Sequence, residues 1–320
     1  MISNSIPAPL NPVSAPGIDL IGDLHGHYQE LLTLLDRLGY IESEGQYRHP
    51  QGRGLIFVGD LVDRGPQVRE TVRLVRRLVG SGLARCVLGN HEYNLLCYVS
   101  WVPDRFLRAH SPRHARQVSA TLAAFADTPG ELLETLDWFK TLPLYLELPG
   151  LRVVHACWDQ TWIDYLRQHL PNGRLEPGFL LESSIPGSAA YQCIETLLKG
   201  WEVTLPHGLG YLDAEGNTRH ETRLRWWPQP ASATWADWLV SGAEALACKD
   251  QPFDEEVPGR LYPSDAPPVF CGHYWLSGMP RLQAPNVCCL DYSIAKGGRL
   301  MAYRWDGEQV LDPAKLTSSG

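Results

Sequence analysis

No stretch of the 320 residues is apolar over the roughly 20 consecutive positions that a membrane-spanning helix needs, and the expectation is that the protein has no membrane partner. Eight cysteines are present but no Cys-x-x-Cys pair. Cys86, Cys157, Cys271, Cys288 and Cys289 sit inside apolar, strand-like runs, which predicts buried free thiols rather than disulfides. Basic residues are short in number, 28 Lys and Arg against 36 Asp and Glu, and the formal net charge of −8 argues against stable nucleic-acid binding. Bound divalent cations would offset part of that charge locally. Residues 1–16, rich in Pro, Ser and Asn, lack the charged start and apolar middle of a signal peptide and read as a disordered tail ahead of a cytoplasmic domain. There is no internal repeat. The length suits one domain over 17–310, with an elaboration at about 158–265 and a flexible tail at 311–320.

What the chain does have is Leu-Ile-Phe-Val-Gly-Asp-Leu-Val-Asp-Arg-Gly at 55–65, an apolar run that ends in two carboxylates, a guanidinium and two glycines. Leu55 to Val58 reads as a strand buried on both faces. Open α/β sheets place their sites where such strands end. Two similar exits flank it. Ile18-Asp19-Leu20-Ile21 runs into Gly22-Asp23-Leu24-His25-Gly26, and Cys86-Val87-Leu88 runs into Gly89-Asn90-His91-Glu92.

Helical patterns separate these exits. Leu31, Leu34, Leu35 and Leu38 recur at helical spacing before Gly39, and Val68, Val72, Val75 and Val79 form a stripe opposite Arg69, Arg73, Arg76 and Arg77, with Pro66 ahead of it. A third helix begins at Glu92. The order strand, helix, strand, helix, strand, helix with short loops predicts parallel strands whose loops meet along one edge.

From Trp101 to Thr141 the chain reads as helical, and Arg105, Arg108, Arg113 and Arg116 with His110 and His114 form a basic cluster that could border an anion-binding cleft. Leu144–Leu148 and Leu151–Val154 read as strands, the second ending in His155-Ala156-Cys157. The Trp-rich run from Arg225-Trp226-Trp227-Pro228 to Trp238 belongs to an elaboration packed on the core. The core pattern then returns at Val269-Phe270-Cys271, which runs into Gly272-His273, and Tyr274 and Trp275 after it could line a pocket and stack on a base.

Together, Gly22-Asp23-Leu24-His25-Gly26, Gly59-Asp60-Leu61-Val62-Asp63-Arg64-Gly65, Gly89-Asn90-His91-Glu92, His155-Ala156 and Gly272-His273 resemble the phosphoprotein-phosphatase branch of the calcineurin-like metallophosphoesterases. The resemblance covers 17–157 and 268–305 and is nearest to bacterial members, which include protein phosphatases and diadenosine tetraphosphate hydrolases. It implies an α/β metallophosphoesterase fold, with two central mixed β-sheets sandwiched by helices in four layers. It also implies two divalent metal ions, Mn first, with Fe, Ni, Zn, Co or Mg as alternatives. Carried over by position, Asp23, His25 and Asp60 resemble the ligands of one metal, and Asp60, Asn90, His155 and His273 those of the other, with Asp60 as the bridge. His91 resembles the general acid, Asp63 the carboxylate that orients it, and Arg64 a phosphate clamp. A second phosphate-binding arginine, often followed by Gly in the family, corresponds most nearly to Lys199-Gly200, with Arg223 or Arg225 as substitutes. The chain has His155-Ala156-Cys157 where many members have His-Gly-Gly.

These residue types suit phosphoester hydrolysis. The mechanism implied by the resemblance is attack of a metal-bridging hydroxide in line, with protonation of the leaving oxygen by an imidazole whose unperturbed pKa is about 6.5. Phosphomonoester hydrolysis on a phosphorylated protein, at phosphoserine or phosphothreonine, is the first expectation. Hydrolysis of a dinucleoside polyphosphate of the diadenosine tetraphosphate type is the second. A non-catalytic metal-binding scaffold is the third, and the retained His91, Asp63 and Arg64 count against it.

Overall fold

Ten strands build two central sheets in the computed structural model, which describes residues 17–171, 173–206, 209–212, 218–227, 233–240 and 248–320. They are β1 (Ile18–Ile21), β2 (Gly54–Phe57), β3 (Ala84–Cys86), β4 (Tyr145–Leu148), β5 (Leu151–Val154), β6 (Val269–Cys271), β7 (Val287–Cys289), β8 (Asp291–Tyr292), β9 (Arg299–Trp305) and β10 (Leu316–Ser318). The expected tail at 1–16 and Pro228 of the Trp-rich run lie outside the described residues.

The six-stranded sheet has the order β8-β9-β1-β2-β3, with β10 also on β9. β1, β2 and β3 are parallel, pairing Ile18 with Gly54 and Leu55 with Ala84, as the alternation of strands and helices requires. β9 closes the other side of β1 antiparallel. The four-stranded sheet runs β7-β6-β5-β4, parallel except for the β4–β5 hairpin around Pro149-Gly150. Both sheets are therefore mixed.

Side-chain alternation explains why the sheets stack. Leu20, Ile56, Val58, Val153, Phe270, Cys288, Met301 and Tyr303 form one apolar cluster between the sheets. Their neighbours Ile21, Leu55, Phe57, Val154, Cys271, Cys289 and Ala302 join the other cluster, with the helices. Every one of these strands is apolar on both faces, so each sheet needs a cover on both sides. α1 (Tyr28–Leu38) supplies Leu31, Leu34, Leu35 and Leu38, and α2 (Val68–Gly80) supplies Val68, Val72, Val75 and Leu78. α3 (Asn90–Val99) is buried over nearly its whole surface, and α4 (Pro112–Ala124) and α5 (Pro129–Phe139) follow it. α6 (Gln160–His169), α7 (Pro177–Ser183) and α8 (Ala189–Lys199) come from the elaboration, and Trp201, Trp226 and Trp235 share the same cluster.

One expectation is corrected here. Residues 311–320 are not a free tail: Leu311 is buried, Lys315 pairs with Asp306 and Glu308 at 2.8 and 2.9 Å, and Leu316–Ser318 adds a strand to the edge of β9. Asp19, inside the expected strand β1, is buried and accepts from Arg53 Nη2 at 2.8 Å, Arg304 Nε at 3.2 Å and the Tyr40 hydroxyl at 3.0 Å. A charge can sit inside a strand when two guanidinium groups meet it there. The cysteines of the described residues are free and buried.

Candidate metal centre

The loops leaving β1, β2, β3, β5 and β6 converge at one edge of the stacked sheets, and their backbones interlock before any side chain is considered. His25 donates its amide to the Asp60 carbonyl at 2.8 Å, and Gly65 donates to the His25 carbonyl at 2.9 Å. Glu92, at the start of α3, receives four amides: Asp60 at 2.9 Å, Leu61 at 2.7 Å, Val62 at 3.2 Å and Gly89 at 3.0 Å. Two glycines are required by close approach. A Cβ on Gly89 would meet the Asp60 amide nitrogen at 2.3 Å, and one on Gly272 would meet Asp23 Oδ1 at 1.9 Å. Among the described residues, every non-glycine residue with positive φ except Glu44 lies in or beside these loops: His25, Asp60, Asp63, Arg64, His273, Trp275 and Ser293. Such strain persists where the surroundings over-determine it, which is typical of functional loops.

The side chains then meet around Asp60. One of its carboxylate oxygens lies within 4.8 Å of a ring nitrogen of His25 and one of His91, themselves as close to each other, and the same is true of Asp60 with His155 and His273. Asp60 is thus common to two donor groups. Asn90 Oδ1 lies 3.0 Å from His155 Nε2 and 2.7 Å from His273 Nδ1, beside the second group. In the first group His91 Nε2 lies 4.0 Å from Asp60 Oδ2. Asp23 uses Oδ2 to accept the His273 amide at 3.0 Å and leaves Oδ1 buried without a partner.

The protonation chemistry follows from burial. Desolvation, helped by the charge of His91, pushes His25 down to about 3, so its ring is neutral at ordinary pH. His25 Nδ1 donates to the Val62 carbonyl at 3.0 Å, which leaves Nε2 as a buried lone pair without a partner. His155 differs: Nδ1 donates to the Val58 carbonyl at 2.7 Å, Nε2 faces Asn90 Oδ1 at 3.0 Å and Asp60 Oδ1 at 3.4 Å, and although burial opposes the charged ring, Asp60 outweighs it and the pKa is raised. His273 Nε2 is also buried and unpartnered, and burial with the nearby charge of Arg223 holds the ring well below its ordinary pKa. Burial and the repulsion of Asp291 and Asp60 raise the Asp23 carboxyl well above the usual range. Burial opposes ionisation of Asp60, but attraction to His155 and His91 holds its carboxylate well below that range. Buried lone pairs that face one another without protons between them are the signature of a cation site. Carboxylate, imidazole and amide oxygen form a set suited to borderline divalent ions, so these residues fit the metals the family implies.

His91 also has a partner of a different kind. Its Nδ1 lies 2.7 Å from Asp63 Oδ2, and Asp63 is held by Thr121, which accepts the Asp63 amide at 3.0 Å and donates its hydroxyl to Oδ1. Burial lowers the His91 pKa, but Asp60 and Asp63 outweigh it and the group is raised. Arg64 is exposed at the rim, its guanidinium carbon 4.4 Å from the Trp275 ring centre.

Several expectations shift. Lys199 is paired with Glu195 on α8 and lines a 190 Å³ hollow with Tyr191, Gln192 and Trp201. Arg223 instead has a buried Nε without a hydrogen-bond partner, Glu202 being 3.7 Å away, and its charge reaches His273. Tyr274 is buried and accepts the Trp226 indole proton at 2.9 Å, so it belongs to the core, whereas Trp275 stands at the rim. Arg108 of the basic cluster is engaged with Asn94 and Gln117. Glu92, Thr121 and Asp291 had no assigned part. Glu92 lay inside a quoted motif, and a Glu three residues into a helix start could have flagged it as a loop-binding carboxylate.

The family model described as calcineurin-like phosphoesterase matches residues 17–205. The symmetrical bis(5′-nucleosyl)-tetraphosphatase of Methylobacillus flagellatus is 30% identical over 292 residues, covering 91% of this chain and 92% of that protein. The asymmetrical bis(5′-nucleosyl)-tetraphosphatase PrpE of a Geobacillus species is 53% identical over 144 residues, which is 43% of this chain and 56% of that protein. The corresponding protein of Halalkalibacterium halodurans is 41% identical over 145 residues, again 56% of its length, so the chain spans about half of these two asymmetrical tetraphosphatases. A solved protein serine/threonine phosphatase from Saccharomyces cerevisiae aligns over 96% of this chain and 80% of its own, with a TM-score of 0.50 and 14% identity, a likeness of fold. The interlocked loops, the two donor groups that share Asp60 and the match over residues 17–205 have one conclusion: the chain belongs to the calcineurin-like phosphoesterase family.

Proposed function

We propose that this protein is a metal-dependent phosphohydrolase whose substrates are dinucleoside polyphosphates. The observation that carries the hydrolytic reading is the His91–Asp63 pair, 2.7 Å apart, set beside two donor groups that share Asp60. Binding a metal alone would need neither an acid nor a carboxylate to orient it. The substrate class is supported by the relatives named as tetraphosphatases, one of them alike over nine-tenths of the chain. They favour the nucleotide over the phosphoprotein that the sequence motifs put first.

His25, Asp60, His155, His273 and Asn90 would hold two divalent ions, with Asp23 reaching in through its free Oδ1. When bound, such ions neutralise phosphate charge and make a water nucleophilic near neutral pH. The rest of the chemistry belongs to side chains. Asp63 accepts a hydrogen bond from the Nδ1–H of protonated His91, so the ring presents its Nε2 proton to the leaving oxygen as the P–O bond breaks and is left neutral. Thr121 fixes the Asp63 carboxylate, and so the direction of the ring. Arg64 at the rim and Arg223, with its unpartnered Nε, bind the non-bridging oxygens.

The test is a comparison of kcat/KM for diadenosine tetraphosphate, a phosphoserine peptide and p-nitrophenyl phosphate, with metal-stripped protein resupplied separately with Mn, Mg, Ni and Zn. Metal-dependent turnover that favours the dinucleotide by tenfold or more is the expected result. Preference for the phosphopeptide would overturn the substrate class, and metal binding without turnover of any of the three would overturn the hydrolytic reading.

A further inference from the structure

Trp275 is held in place by more than packing. Its backbone is left-handed, with φ 53°, a strained conformation for a non-glycine residue. The buried carboxylate of Asp291 accepts the Trp275 amide at 2.7 Å. The same carboxylate accepts the Ser293 amide at 2.9 Å, and Ser293, with φ 60°, begins the short turn Ile294–Lys296. One buried acid therefore fixes two things: the indole at the rim of the centre and the turn that carries Lys296.

The consequence is an arrangement of cations. Lys296 Nζ lies 4.1 Å from the Trp275 ring centre and the Arg64 guanidinium carbon 4.4 Å from it. The His25 ring, in the first donor group, is 5.7 Å from the indole. Among the described residues, neither Arg64 nor Lys296 is paired with a carboxylate, although the chain as a whole carries a net charge of −8. An indole face attracts a cation only weakly at an exposed site, so it positions these two without neutralising them. Two uncompensated positive charges gathered on one ring, beside a candidate metal centre, leave a place for an anion that extends outward from it.

We propose that Trp275, with Arg64 and Lys296 against its ring, forms an outer phosphate subsite that binds the phosphate next to the one held at the metal centre in a phosphoanhydride chain. The inference rests on the nucleotide reading only for the substrate it serves. A monoester carries a single phosphate and has nothing to offer Lys296. A polyphosphate brings a second anion to it. Lysine acts as a point charge on a flexible stem, so the subsite counts phosphates and does not select a base.

The experiment compares adenosine 5′-monophosphate with adenosine 5′-diphosphate, both as inhibitors of p-nitrophenyl phosphate hydrolysis and by calorimetric titration into metal-loaded protein, at constant salt. The wild type is expected to bind the diphosphate more tightly. Lys296→Ala should weaken diphosphate binding about tenfold while the monophosphate affinity and the KM for p-nitrophenyl phosphate change less than twofold, and Lys296→Arg should restore most of the loss. Trp275→Phe should keep part of the preference and Trp275→Ala lose it. Equal weakening of both nucleotides by Lys296→Ala, or no change in either, would overturn the subsite. A Lys296-dependent preference in a protein that does not turn over diadenosine tetraphosphate would leave the subsite standing and remove the substrate reading. Turnover of the dinucleotide without that preference would do the reverse.

Discussion

His91 and Asp63, 28 residues apart in the chain, are joined by a 2.7 Å contact between Nδ1 and Oδ2, with both side chains buried. The pair forms because Asp63 turns back through a left-handed backbone, φ 67°, and Thr121 of α4 takes up its amide and its second oxygen. His91→Ala is expected to lower kcat by about 10²–10⁴-fold, the range for loss of a general acid, while metal content measured by atomic emission stays unchanged.

Asp63→Asn tests the same pair through pH. The Asp63 carboxylate helps to hold the His91 pKa up, so the acid remains protonated to higher pH with it than without it. Replacing it should move the basic limb of the kcat–pH profile to lower pH and reduce the plateau. An unshifted limb would assign that limb to another group.

Asp60→Ala removes the residue common to both donor groups. The protein should lose bound divalent metal as well as activity, read as metal stoichiometry after desalting. Two metals retained in the variant would show that Asp60 does not bridge.

Glu92→Gln replaces two accepting oxygens with one oxygen and an amide that has no use for the four backbone N–H groups facing it. A loss of about 1–3 kcal/mol in stability is expected from the unmet donors, measured by urea unfolding of metal-free protein. Metal affinity should fall with it, because the Asp60 loop is what those amides hold.

Arg223→Ala should cost more on the substrate than Lys199→Ala. Arg223 has a buried Nε without a hydrogen-bond partner, whereas Lys199 is already paired with Glu195. Losing one charge-assisted hydrogen bond, worth about 1.5–3 kcal/mol, predicts a fall in kcat/KM of at least tenfold for Arg223→Ala, and less than twofold for Lys199→Ala.

The alternation of apolar runs and amphipathic stretches was enough to predict parallel β1, β2 and β3 with their loops on one edge, because burial on both faces leaves a central strand no polar positions and a crossover helix no other place to pack. The same runs end in Asp60, Asn90, His91, His155 and His273, and so the residues that meet at that edge could be named from the chain alone. What these patterns could not reveal were partners drawn from elsewhere in the chain. Thr121 reaches Asp63 across 58 positions, and Arg304 reaches Asp19 across 285. A helical period reports which face of its own helix is apolar, not which single hydroxyl on that face will be needed. For the same reason Lys199, chosen for the Gly after it, proved to be committed to Glu195, and Tyr274 to Trp226.

Local sequence therefore determined the strands, the loops and the donor types they carry, since those depend on side-chain period and on the glycines that let backbones approach. Tertiary structure alone decided that Thr121 holds Asp63, that Glu92 gathers four loop amides and that Asp291 ties Trp275 to the turn bearing Lys296. Those are relations between atoms on different elements, set by how two sheets stack, and the order of residues in the chain does not contain that distance until the core has closed.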